Sequence, residues 1–173
     1  MRLFNAMRAR QLLVLGFQHW SDYENLNENH LDPRERHLDT CLFLAKQAMG
    51  FLEQPKHHDE KSYSTYVAES FFLAKNNLAY YLAEKNNPKD YELAMMSSSE
   101  IRETADGLRR KGDPRWFEMQ ETYAKVVLAY SRDHAKRIEA CQTLEELASN
   151  TALPEDWRQS IKEKFRGNCP DLA

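Results

Sequence analysis

His57-His58-Asp59-Glu60 sets four metal-capable donors in a row, with His30 and His37 upstream. Adjacent donors on one loop rarely converge on a single ion, and no His-x-x-x-His or Cys-x-x-Cys spacing supports them. A solvated loop is the expectation, with no metal and no cofactor. Arg109-Arg110-Lys111 and the run from Arg132 to Arg137 are the cations that could meet phosphate. Both fall near predicted helix ends, where positive charge complements the helix dipole, and Asp133 interrupts the second. Nucleic acid is therefore disfavoured as a partner, and a net charge of −3 gives no general attraction to it. Catalytic spacing is absent as well. There is no glycine-rich phosphate loop, no Gly-x-Ser-x-Gly elbow and no His-Glu-x-x-His, and Glu118, Glu121, Glu139, Glu145 and Glu146 read as solvated helix surface. No enzyme is expected.

The elements that would position any of these side chains are helices. Among 173 residues, 42% are hydrophobic, enough for one sizeable core, and 5 Gly and 6 Pro supply little turn chemistry for an all-β fold. No run alternates apolar and polar residues, and no Asn-Gly or Asp-Gly marks a hairpin. Cys41, Cys141 and Cys169 are odd in number and widely spaced, which reads as structural thiols in a reducing, cytoplasmic setting. No stretch is long and apolar enough for a membrane span.

Helix starts and stops are well marked. Asp32-Pro33-Arg34-Glu35 combines an N-cap carboxylate, a proline at the first helical position and a glutamate that completes a capping box. Leu38, Leu42, Ala45, Met49 and Leu52 follow at helical spacing, and Pro55 requires a stop. A long helix is expected from about 62 to 85, another from Asn87-Pro88 through Leu108 to Gly112. A third follows Asp113-Pro114-Arg115 with Trp116, Met119, Tyr123, Val126, Val127 and Tyr130 on its buried stripe. A fourth carries Ile138, Cys141, Leu144, Leu147 and Ala148. The last, 154–166, opens on Pro154-Glu155-Asp156 and closes on Lys162, Lys164, Arg166 and Gly167, with Trp157, Ile161 and Phe165 as one narrow stripe. At the other end, Arg2, Arg8 and Arg10 among apolar residues, with no acid before Asp22, would suit a mitochondrial presequence and, less well, a signal peptide. The apolar centre Leu12–Phe17 is short for secretion and lacks a small-x-small cleavage site, so an ordinary first helix is preferred. About seven helices in antiparallel hairpins result, an all-α single domain over 1–173.

Asn77-Leu78-Ala79 with Leu82, then Asp90-Tyr91-x-x-Ala94, resembles the two helices of a tetratricopeptide (TPR) unit. Small residues at Ala79 and Ala94 would let two backbones approach, and Asn86-Asn87-Pro88 would supply the turn. Leu82 to Ala94 is twelve positions, where the family has about nine. Ala74-Lys75-x-x-Leu78-Ala79-Tyr80 returns fifty residues later as Ala124-Lys125-x-x-Leu128-Ala129-Tyr130, beyond the family's period of about 34. Only residues 73–114 resemble the family closely. The resemblance implies a short TPR-like solenoid whose last helix is a cap, and whose concave face binds a protein or peptide. The positions implied for that face are Asn76, Asn77, Tyr80 and Glu84, with Lys125 and Arg132 as the nearest cations by the repeat offset. Asn77 is placed to clamp a backbone or carboxylate, because its amide both donates and accepts. A scaffold or regulatory role follows. The alternatives are a small-ligand or nucleic-acid-associated helical protein with an enclosed pocket, or a homodimer joined through an apolar patch near Leu12–Trp20.

Overall fold

A computed structural model of the chain describes residues 2–26, 31–52, 65–109 and 115–170. The described residues form seven α-helices and no strand: α1 Arg2–Asn25, α2 Leu31–Phe51, α3 Thr65–Lys85, α4 Tyr91–Arg109, α5 Arg115–Tyr130, α6 His134–Ser149 and α7 Glu155–Phe165, with a short 3-10 turn at Pro88–Asp90. The all-α expectation and its helix count hold. The donor loop 56–61, His30, the Arg110-Lys111 cations and Gly112-Asp113-Pro114 lie outside the described residues. The helices fall into two compact units, residues 1–85 and 86–173.

In the first unit α1, α2 and α3 pack mutually. Alanines make the contacts close: Ala6, Ala9 and Leu13 of α1 meet Ala48 and Leu52 at the end of α2 and Phe71 and Ala74 of α3. Gly16 is buried where α1 crosses α2, and a Cβ there would stand 3.8 Å from the Leu44 Cβ, an ordinary contact. The start of α2 differs from expectation. Leu31 is already helical, so Asp32 sits in the first turn instead of at the N-cap, where its carboxylate still complements the dipole. Its carbonyl accepts the Arg36 Nε–H at 3.2 Å.

The exit from α3 follows the expected turn chemistry. Asn86 adopts a left-handed φ of 49°, which asparagine tolerates better than most residues. Asn87 then caps the 3-10 turn, its Oδ1 accepting Lys89 N–H at 3.1 Å, with Pro88 at the first position.

In the second unit α4 packs on α5, α5 on α6 and α6 on α7. Ala124, Val127 and Leu128 of α5, Leu144 and Leu147 of α6, and Ile161 and Phe165 of α7 share one core. Asp133 is the N-cap of α6, its Oδ1 accepting Ala135 N–H at 3.0 Å and Lys136 N–H at 3.3 Å. The helix-end reading of the Arg132–Arg137 run fits Arg137, whose guanidinium donates to the Leu128 carbonyl at 2.6 Å, at the C-terminus of α5. The stripe on α7 is also as read, with Ile161 and Phe165 buried and Trp157 half-buried. Gly167 keeps an ordinary φ, so it is no left-handed cap. The α7 end is closed instead by Asn168 N–H and Cys169 N–H, both donating to the Phe165 carbonyl at 2.9 Å.

One expectation is corrected in this unit. Cys141 and Cys169, read as structural thiols, form a disulfide. The pairing was hidden by a separation of 28 residues that only the α6–α7 hairpin closes. Cys41 alone remains a free, buried thiol.

Candidate functional site

Four of the six residues implied for the binding face lie on α3. Asn76, Tyr80 and Glu84 are spaced at i, i+4, i+8 and so share a face, with Asn77 beside them. That face is well occupied by the first unit's own side chains. The Tyr80 ring meets Trp20 of α1 edge-on, centroids 5.3 Å apart, and Trp20 also contacts Tyr81 at 5.4 Å and Tyr23 at 4.9 Å. Glu84 accepts a hydrogen bond from the Tyr23 hydroxyl at 2.5 Å. Above the Tyr23 ring stands the Arg34 guanidinium, 4.3 Å from its centroid. Asn76 is buried, and its Oδ1 has no hydrogen-bond partner. Asn77 is half-buried. Lys125 on α5 is half-buried and Arg132, between α5 and α6, is exposed; both belong to the second unit.

Sequence reasoning did not find this aromatic cluster. Trp20 and Tyr23 are three apart on α1, and Tyr80-Tyr81 adjoin on α3, but nothing in one segment names the other. The spacing of Trp20 and Tyr23 was the available signal. A second constellation was missed for the same reason. His19 and Asp22 on α1 and His37 on α2 bring three metal-capable donor atoms within 4.8 Å of one another.

The electrostatics of this unit favour neutral groups. Burial pushes the Cys41 thiol from 9.0 up to about 11, with the Asp22 charge adding to the rise and a backbone hydrogen bond offsetting part of it. Its Sγ–H donates to the Gly16 carbonyl at 3.3 Å. Tyr23 is raised above the usual phenol range by burial first, then by its bond to the Glu84 carboxylate, against the opposing charge of Arg34. Burial raises Tyr81 as well. Each of these groups holds its proton more tightly folded than unfolded, so each contributes stability at neutral pH that alkali removes. The unfolding free energy is therefore expected to stay level up to about pH 9 and to fall as pH rises through about 11. Urea titrations between those limits, read by helix circular dichroism, check it; Cys41→Ala should flatten the first part of the decline.

No family model matches the chain, and comparison with characterised proteins and with solved structures gives no match either.

Proposed function

We propose that the chain is a non-enzymatic, TPR-like helical interaction module that takes up a protein partner, and that the outer face of α1 makes the primary contact. The observation that carries this reading is a helix apolar on both sides. Ala6, Ala9, Leu13 and Trp20 are buried, while Leu3, Phe4, Met7, Val14, Leu15 and Phe17 on the other side are 47–65% exposed. A surface helix of a self-sufficient domain has a polar outer face, and a contiguous exposed apolar stripe marks an interaction surface. Phe43 of α2 is also exposed, at 60%.

The chemistry of the partner follows from the rim. Exposed Arg8 lays its guanidinium over Phe4 at 5.2 Å and Phe51 at 5.4 Å, and no acidic residue precedes Asp22. An amphipathic helix with apolar residues at i, i+4 and i+7 and acidic flanks is complementary to such a face. The α3 positions Asn76, Asn77, Tyr80 and Glu84, with Lys125 and Arg132, were the concave-face candidates. Tyr80 and Glu84 are engaged by α1, which supports the outer face of α1 over them as the contact surface. The cytoplasmic assignment loses part of its basis with the disulfide, since such bonds persist in oxidising compartments. No helix among the described residues is long and apolar enough to cross a membrane.

Site-specific photocrosslinking tests the reading. A benzophenone side chain at Phe4 or Leu15 is expected to give one discrete protein adduct, abolished by Glu at the neighbouring Met7 and Val14. The same probe at exposed Ile138 of α6 should give none. Adducts only with a second copy of the chain would favour the homodimer, and equal labelling from all three positions would overturn the assignment.

A further inference from the structure

On the far part of α1 from this apolar stripe's start, the chain assembles a donor set that the interaction reading does not use. His19 and Asp22 are three apart and so project from one side of α1. His37 comes from α2, and the packing of α1 along α2 brings its ring to that of His19 and within reach of the Asp22 carboxylate. The two imidazoles face each other through the same nitrogen: His19 Nδ1 lies 3.0 Å from His37 Nδ1, with ring centroids 5.2 Å apart and planes inclined by 44°. The Asp22 Oδ2 is 3.9 Å from His37 Nδ1.

We propose that His19 Nδ1, His37 Nδ1 and the Asp22 carboxylate bind a divalent first-row metal ion of the zinc type. Two nitrogens each about 2.0–2.1 Å from a tetrahedral zinc stand about 3.3 Å apart, so the observed 3.0 Å is already close to the bite of one ion. The carboxylate lies farther out, 3.9 Å from His37 Nδ1 in a donor set whose atoms lie within 4.8 Å of one another, and must swing inward by roughly 0.5–1.5 Å to reach the same spacing from both nitrogens. It can do so by side-chain rotation, because Asp22 is 62% exposed while the His37 side chain, at 27%, is held. Without an ion, one Nδ1 must carry the proton that the other accepts. On binding, that proton moves to Nε2 of the same ring, which leaves both Nδ1 lone pairs to the metal and both imidazoles neutral.

Ligand type selects the ion. Two imidazoles and one carboxylate suit zinc and its first-row neighbours, whereas calcium and magnesium require sets built of oxygen. Three protein ligands leave a fourth tetrahedral position open to water or to a donor from outside the chain. The ion would also tie α1 to α2 one turn from the Cys41–Gly16 contact.

Titration of the full chain with Zn2+ by calorimetry, and with Co2+ by visible absorption, decides the matter. The expected result is one ion per chain, intense tetrahedral cobalt bands, and a melting temperature that rises with zinc concentration. His19→Gln and His37→Gln should each weaken binding by at least about tenfold. A chain with His30→Ala, His57→Ala and His58→Ala should bind as the parent does. Lack of saturable binding overturns the site, as does binding kept by both glutamine variants or lost with the His30, His57 and His58 substitutions. If the glutamine variants do not fold, the parent's cobalt spectrum decides: six-coordinate, water-like bands refute the site. Loss of α1 adducts leaves this result untouched, so the two readings fail separately.

Discussion

Removing the Cys141–Cys169 bond is expected to lower the stability of the second unit by about 3–4 kcal/mol, the entropy released by opening a loop of 28 residues. The bond ties α6 to the segment beyond α7, and Cys169 is itself part of the core with Leu144, Ile161 and Phe165. Alpha7 is only 11 residues long, too short to be helical alone. It depends on its stripe and on Trp157, whose Nε1–H donates to the Glu121 carboxylate at 2.7 Å. Chemical denaturation of the Cys141→Ala, Cys169→Ala variant measures the cost without thiol exchange at Cys41. A midpoint that barely moves would mean that the apolar stripe alone secures the helix. A loss well above the loop estimate would mean that α7 detaches and exposes the core beneath it.

Trp20→Ala should destabilise the first unit by about 3–5 kcal/mol, as for other buried aromatic truncations. Trp20 is 8% exposed and touches Tyr23, Tyr80 and Tyr81, so its removal empties the centre of the α1–α3 contact. Part of the cost comes from Tyr23, which loses its stacked neighbour while remaining bound to Glu84. Trp20→Phe should recover roughly half, since a ring still fills the space but with fewer atoms. Loss of Trp fluorescence change on unfolding is no readout here, because Trp116 and Trp157 remain; urea transitions followed by circular dichroism are. If Trp20→Ala costs under about 1 kcal/mol, the cluster is not packed as described.

Helices were legible because their signals are local. Pro88 after Asn87 and acids then bases along 155–165 act on backbone groups within a turn, and the structure uses both. Asp133, read only as a break in a basic run, is in addition the N-cap of α6. The start of α2 was placed two residues late, at Pro33 instead of Leu31, because Asp32 serves the dipole equally well from the first turn. The TPR resemblance lay in α3, its turn and α4, and the contact division between Lys85 and Asn86 runs through that stretch. A short motif fixes which residues are small and which are large. It does not fix which neighbouring helix fills the space.

The sequence by itself determined an all-helical chain, the turn at Asn86-Asn87-Pro88, the last helix with acids at its start and bases at its end, and the absence of a membrane-length apolar run. Tertiary structure decided which residues meet across tens of positions: Cys141 with Cys169, Trp20 with Tyr80, His19 with His37. It also decided that α1 keeps an apolar face toward solvent. Helical periodicity records where a side chain points around its own axis. Only packing selects the partner, because many amphipathic helices offer equivalent apolar stripes and their contact energies depend on shape at each crossing.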